Sequence, residues 1–333
     1  MAGEAMNTEA VSTGSQRIPD FFIAGHPKCG TTALYLMLKR HPQIYMSELK
    51  EPQFFAPEMR AEAMRRATRL PDTLDEYLAL FSEAGGDQRA GEASPSYLRS
   101  RTAAGEIAEL APDARIIAIL REPASFLRSV HLQFVQSMIE TEHDLRTAIS
   151  LEEPRRQGRN LPRNSYWPQA LMYSEHVQYV EQLRRYHAAF SPEQLLVLIY
   201  DDLRSDNQGT ARQVLRFLDV DDSLPIQMIE ANPTVRVRAQ HLHGATRAVH
   251  LAQGPAARTV KTAVNTLLPR RVRQAAFGPI RRRARGRILY GEPAPPDENL
   301  MLELRHRFKD EVVALSEYLG RDLVTLWGYD EVG

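Results

Sequence analysis

The junction between residues 20 and 40 constrains this chain most. The apolar run Asp20-Phe21-Phe22-Ile23-Ala24 leads directly into Gly25-His26-Pro27-Lys28-Cys29-Gly30-Thr31-Thr32, and Thr32 to Arg40 (TALYLMLKR) then carries apolar residues at helical spacing. A buried strand, a glycine-bearing loop and a helix in immediate succession form the opening of a parallel α/β unit. His41-Pro42 ends the helix.

The same alternation continues downstream. A short second strand is expected over 43–46, a mainly helical cap over 58–83, and a short third strand leading into Gly91 to Leu98. Ala103 to Leu110 reads as a helix. Residues 114–120 (ARIIAIL), bounded by Pro112-Asp113 and Arg121-Glu122-Pro123, give the clearest strand. A helix over 124–139, a long loop over 150–168, an amphipathic helix over 170–189 and a fifth strand over 194–199 (QLLVLI) follow. The expected fold is α/β, a mostly parallel central sheet flanked by helices, with a P-loop-like turn after the first strand.

In such sheets ligands bind outside the carboxyl ends of the strands. The chemistry-bearing residues fall there by connectivity: the glycine loop after strand one, Lys50-Glu51 after strand two, Glu92 to Tyr97 after strand three, Arg121 after strand four and Tyr200-Asp201-Asp202 after strand five. A glycine turn entering a helix presents backbone N–H groups and the positive end of the helix dipole to a phosphate. A Walker A loop would place lysine after its second glycine, to reach a triphosphate. Here Thr31 stands at that place and the lysine is Lys28, inside the loop. That is a poor site for a nucleoside triphosphate with magnesium. A cation at Lys28 suits instead charge developing on a bridging oxygen as a group leaves a phosphate.

These residues resemble the PAPS-dependent sulfotransferases, which move a sulfuryl group from 3′-phosphoadenosine 5′-phosphosulfate. Pro27 to Thr32 is similar to their 5′-phosphosulfate loop, and Arg121-Glu122-Pro123 through Ser129 to their 3′-phosphate motif. Lys50-Glu51-Pro52-Gln53-Phe54-Phe55, Gly91 to Leu98, Leu195 to Leu203 and Leu319 to Leu323 with Trp327 extend the resemblance, which covers 18 to about 220 well and 300–328 loosely. Among its branches, the motifs resemble those of heparan sulfate sulfotransferases.

The resemblance implies that Gly30, Thr31 and Thr32 hold the 5′-phosphate, with Cys29 a small filler of the same donor loop, and that Lys28 contacts the bridging oxygen. It further implies Arg121 and Ser129 at the 3′-phosphate, Tyr200 near the adenine, and Glu51 as the base that deprotonates an acceptor hydroxyl, with Glu92 its nearest rival. Arg281 to Arg287 (RRRARGR) would supply a basic loop toward the 3′-phosphate. Ala93 stands where the glycosaminoglycan branch carries a lysine, which favours a small-molecule acceptor: a natural product, sugar or lipid hydroxyl.

Composition sets the remaining expectations. A chain of 333 residues, 43% hydrophobic, can bury a large core, and its single cysteine forms no internal disulfide. The polar start (residues 1–17) reads as a disordered lead-in to one domain over 18–333, and no run of about 18 apolar residues suggests a membrane span. A cytoplasmic protein is expected. The formal net charge of zero hides 13 Arg and Lys with no Asp or Glu over 231–291. The helical-looking basic segment 231–298 is expected to wall the acceptor side.

Two other readings compete. One is a P-loop nucleotide kinase or NTPase, which Thr31 opposes. The other is an anionic-surface binder acting through 231–291, where Phe277 and Tyr290 are too few to stack a nucleic-acid strand. His241-Leu242-His243 lacks partners at metal-ligand spacing, so no metal is expected.

Overall fold

A computed structural model of the chain describes residues 17–60, 70–162, 168–224, 236–237, 290–291 and 293–332. Five parallel strands form one sheet in the order β2-β3-β1-β4-β5: β1 (Phe21–Gly25), β2 (Ile44–Met46), β3 (Arg89–Ala93), β4 (Arg115–Leu120) and β5 (Leu195–Ile199). β1 and β4 are fully or almost fully buried along their length, because a parallel sheet covered by helices on its faces selects continuous apolar strands.

The described helices are α1 (Thr31–Leu38), α2 (Leu74–Leu78), α3 (Ala103–Leu110), α4 (Pro123–Ser137), α5 (Leu145–Ser150), α6 (Glu152–Arg156), α7 (Tyr173–His176), α8 (Tyr179–Ala189), α9 (Tyr200–Ser205), α10 (Asn207–Phe217), α11 (Glu298–Leu319) and α12 (Leu323–Leu326). The chain runs from β1 to one side of the sheet for β2 and β3, then returns to the other side for β4 and β5. The reversal leaves a crevice beyond the carboxyl end of β1, where the crossovers diverge.

The expected α/β fold is present, with local differences. β3 runs through Ala93, so Glu92 lies within the strand and not after it. The segment 170–189 is two helices, interrupted at Val177-Gln178, and α6 forms inside the expected loop 150–168. α6 is held by a buried ion pair in which Arg155 gives both Nη atoms to Glu140, at 2.8 and 2.9 Å. In the expected cap, only α2 and short 3-10 turns at Pro57–Met59 and Ala79–Phe81 are helical among the described residues.

The C-terminal part folds back on the sheet domain. Leu304, Phe308, Val312 and Leu315 lie on one buried stripe of α11, which packs on α4 and α8. Asp297 caps its start and Gly320, at φ 61°, ends it in the left-handed conformation. Past that turn Arg321 pairs with both Asp202 oxygens (2.5 and 2.7 Å), Trp327 Nε1 donates to Asp201 (3.0 Å) and the Tyr329 hydroxyl donates to Glu122 (2.8 Å). These bonds brace the first residues beyond β4 and β5.

Most of the basic segment, with Arg281 to Arg287, His241 and His243, lies outside the described residues, as does 1–16. Its ends are described: β6 (Arg236–Val237) pairs antiparallel with β7 (Tyr290–Gly291), and β6 lies against α4.

Candidate active site

The turn 26–30 follows β1 at its carboxyl end. The N–H of His26 donates to Ile119 of β4 (2.8 Å) and the N–H of Leu98, after β3, donates to Ala24 (2.7 Å), so both neighbouring strands grip the base of the turn. The His26 ring is buried, with Nε2 2.6 Å from Gln182 Oε1 and the Phe126 and Tyr179 rings at 5.3 and 5.4 Å. Burial pushes its pKa down to about 4, so it is a neutral anchor and not a proton carrier at physiological pH.

Above this base the backbone turns through left-handed conformations at Lys28 (φ 62°) and Gly30 (φ 90°). Gly30 is the N-cap of α1 and makes no side-chain cap bond, so the helix starts without a side chain over its first-turn N–H groups. A Cβ on Gly30 would sit 2.5 Å from Leu203 Cδ2, which, with the positive φ, restricts this position to glycine. Thr31 is buried and Thr32 half-buried at the same helix start, while the Cys29 side chain is fully buried in the core. Any contribution of Cys29 to a ligand is therefore limited to its main chain.

Arg121, the first residue after β4, reaches over the turn. Its Nη1 donates to the Lys28 carbonyl (3.1 Å), its Nε donates to Ser125 Oγ (3.0 Å), and its guanidinium lies 4.7 Å from the centroid of the Tyr200 ring. Glu122 is turned away. It caps α4 by accepting from the N–H groups of Ala124 (3.0 Å) and Ser125 (2.6 Å) and also accepts the Tyr329 hydroxyl. Ser129 lies buried on α4 two turns further on. The half-buried Lys28 has its pKa lowered, first by burial and then by the Arg121 charge. The Arg121 charge is thus felt at the Lys28 ammonium, so the turn carries positive charge from two side chains.

Glu51 follows β2 in a segment with two left-handed residues, Glu51 (φ 61°) and Gln53 (φ 52°). Its side chain is 42% exposed and its Oε1 lies 2.5 Å from Lys50 Nζ. Glu92, by contrast, is fully buried and accepts three hydroxyls: Tyr77 (3.1 Å), Ser94 (2.6 Å) and Tyr97 (2.7 Å). Glu92 is thus enclosed away from solvent, whereas the Glu51 carboxylate is solvent-accessible.

The structure thus joins Lys28, Arg121 and Tyr200 from three strand ends. It places Gly30, Thr31 and Thr32 at one helix start, and Glu51 beyond β2, two strands from β1, where its N–H donates to the Ala93 carbonyl. Sequence reasoning did not single out Ser125, which orients Arg121. Its signal was an Arg-x-x-x-Ser spacing across a strand end and a helix start, where the first turn returns the serine toward the arginine. Among the described residues, no group of three or more His, Cys, Asp or Glu is gathered so as to hold a metal ion, and no helix is long and apolar enough to cross a membrane.

A five-stranded parallel sheet with a glycine turn at its switch point and helices on its faces makes this a doubly wound α/β protein. The profile of the sulfotransferase family matches residues 19–223, and the chain belongs to that family. It is 30% identical over 254 residues to carbohydrate sulfotransferase 15 of Mus musculus, a match covering 61% of this chain and 44% of that protein. It is 31% identical over 206 residues to the bifunctional heparan sulfate N-deacetylase/N-sulfotransferase 3 of Homo sapiens, covering 61% of this chain and 22% of that one. The chain thus matches less than half the length of each of these curated relatives. Among solved structures, a sulfotransferase from Alicyclobacillus acidocaldarius superposes with a TM-score of 0.57 at 28% identity, covering 65% of this chain and 87% of the other.

Proposed function

We propose that the protein transfers a sulfuryl group from 3′-phosphoadenosine 5′-phosphosulfate to a hydroxyl of a small-molecule acceptor, within one domain spanning 18–333. The observation that carries this reading is the contact of Arg121 with both the Lys28 carbonyl and the Tyr200 ring. It draws three strand-end loops into one cationic, aromatic-walled crevice, the chemistry that suits a nucleotide with phosphates at two ends.

In this scheme Gly30, Thr31 and Thr32 bind the 5′-phosphate through main-chain and hydroxyl donors at the start of α1. Arg121 and Ser129 bind the 3′-phosphate, a guanidinium being able to give a phosphate two parallel hydrogen bonds, and Tyr200 lies by the base. Glu51 takes the proton of the acceptor hydroxyl as its oxygen attacks sulfur. The bond from sulfur to the bridging oxygen breaks, its electron pair stays on the 5′-phosphate, and the Lys28 ammonium stabilises that charge. The basic segment 231–298, whose ends meet beside α4, lines the acceptor side and approaches the 3′-phosphate.

A panel of hydroxyl-bearing phenols, sugars and lipids, with matched amines, incubated with the sulfuryl donor tests the reaction class. Mass spectrometry is expected to find one sulfuryl group gained by a hydroxyl compound, with an equal amount of adenosine 3′,5′-bisphosphate. Sulfation of the amines alone would overturn the assignment of an oxygen acceptor.

A further inference from the structure

The segment carrying Glu51 bends through two left-handed non-glycine residues, a conformation that persists only where its surroundings hold it. Its amides identify the holder. The Glu51 N–H donates to the Ala93 carbonyl (3.1 Å), the Gln53 N–H to Ser94 Oγ (3.1 Å) and the Phe55 N–H to the Tyr97 hydroxyl (3.4 Å). Those two hydroxyls in turn donate to the two oxygens of Glu92, Ser94 to Oε2 and Tyr97 to Oε1. From outside, Arg60 gives Nε to the Gln53 carbonyl (2.7 Å) and Nη2 to that of Pro52 (3.3 Å).

We propose that Glu92 is a positioning residue: as a buried carboxylate it fixes the direction of the Ser94 and Tyr97 hydroxyls, leaving their lone pairs to accept the Gln53 and Phe55 amides that hold Glu51 at the acceptor. The inference rests on the reading of Glu51 as base. It makes Glu92 the support of that base, not its rival. Hydroxyl direction is the essential physical step. A hydroxyl that donates to an ionised carboxylate keeps its oxygen free to accept, whereas a protonated carboxyl oxygen becomes a donor itself and forces a hydroxyl to turn.

The groups around Glu92 set its pH response. The Tyr77 phenol of α2, the Ser94 and Tyr97 hydroxyls, the Glu51 carboxylate and, further off, the Tyr186 phenol of α8 face it. Burial raises the Glu92 pKa to about 7, the three hydroxyls oppose that rise, and the Glu51 charge adds to it. Because the folded-state value is raised, the buried charge costs overall stability above the ordinary carboxylate range and protonation relieves that cost, while as pH falls through about 7 the new carboxyl proton turns one of the hydroxyls away from its present direction.

Amide hydrogen exchange of residues 50–56, expressed as protection against the intrinsic rate at each pH, tests this in wild type, Glu92→Gln and Ser94→Ala. Adenosine 3′,5′-bisphosphate affinity is measured alongside. Wild type is expected to lose protection at one of the two amides, Gln53 or Phe55, according to which Glu92 oxygen takes the proton, by about tenfold or more as pH falls from 8 to 6, with the other still protected. Glu92→Gln should be poorly protected at one of them at both pH values, and Ser94→Ala at Gln53 alone, with nucleotide affinity unchanged in both variants. Wild-type protection independent of pH, or unaltered in Ser94→Ala, overturns the proposal even if Glu92→Gln fails to fold. Failure of the wild type to bind the nucleotide, with the exchange pattern as expected, would instead remove the reading of the donor site and leave the link between Glu92 and the segment standing.

Discussion

Lys28→Ala should lower kcat by about 10²- to 10³-fold, the usual cost of removing one preorganised group aimed at charge that develops in the transition state. The loss should fall mainly on kcat, because the Thr31 and Thr32 region and Arg121 still hold the ground-state nucleotide. Lys28 is half-buried and its pKa is lowered by burial and by Arg121, so in the proposed mechanism a developing negative charge beside it would relieve an ammonium that its surroundings disfavour. Steady-state kinetics with the sulfuryl donor varied provide the measurement. A rise in KM at constant kcat would mean that Lys28 contributes only uniform binding, and the leaving-group role would be lost.

Glu51→Gln should cost about 10²- to 10⁴-fold in turnover, the range for a positioned general base, while affinity for adenosine 3′,5′-bisphosphate is unchanged. The amide is nearly the same size and leaves the backbone bond from the Glu51 N–H to Ala93 in place, so the fold should be unaffected. Calorimetric titration of the product nucleotide, paired with turnover, separates the roles. Full turnover in Glu51→Gln would remove it as base, and the enclosure of Glu92 by three hydroxyls would leave that residue no better placed.

The parts of this site legible in the sequence are those whose signals are local. The apolar run Phe21 to Ala24, the glycines of the turn and the helical spacing after Thr32 share one stretch of chain, and the structure forms β1, the turn and α1 there. Arg121 is similarly marked by the sharp end of β4 at Glu122-Pro123. The sequence does not show Glu92 to be inside the strand, because Arg89 to Ala93 offers little strand signal: a glycine, two alanines and two charged residues do not reveal where pairing ends. Only its pairing with β1, Phe21 opposite Gly91 and Ile23 opposite Ala93, carries the strand through Glu92 and sets the carboxylate inside.

Long-range partners were invisible for a different reason. Arg321 with Asp202, Trp327 with Asp201 and Tyr329 with Glu122 join residues more than a hundred positions apart, and no local pattern encodes such a meeting. The break in 170–189 is likewise tertiary: His176 is drawn inward to the Ala170 carbonyl (2.8 Å) and to Arg99, while Gln182 turns back to His26. Amphipathic spacing alone continues through that point. α6 depends on the buried Arg155 and Glu140 pair, a contact across the chain that outweighs the turn-like composition around Pro154.

The proposed crevice is expected to hold a nucleotide with phosphates at two ends and a single leaving phosphate, not a triphosphate with magnesium. Thermal denaturation with adenosine 3′,5′-bisphosphate, compared with ATP plus magnesium, tests it most directly. At a hundredfold excess over its dissociation constant the bisphosphate should stabilise the protein by about 2.7 kcal/mol, with no magnesium added, and ATP with magnesium should have little effect at the same concentration. Stabilisation by ATP with magnesium, and none by the bisphosphate, would exclude a sulfuryl-donor site and point to a triphosphate site.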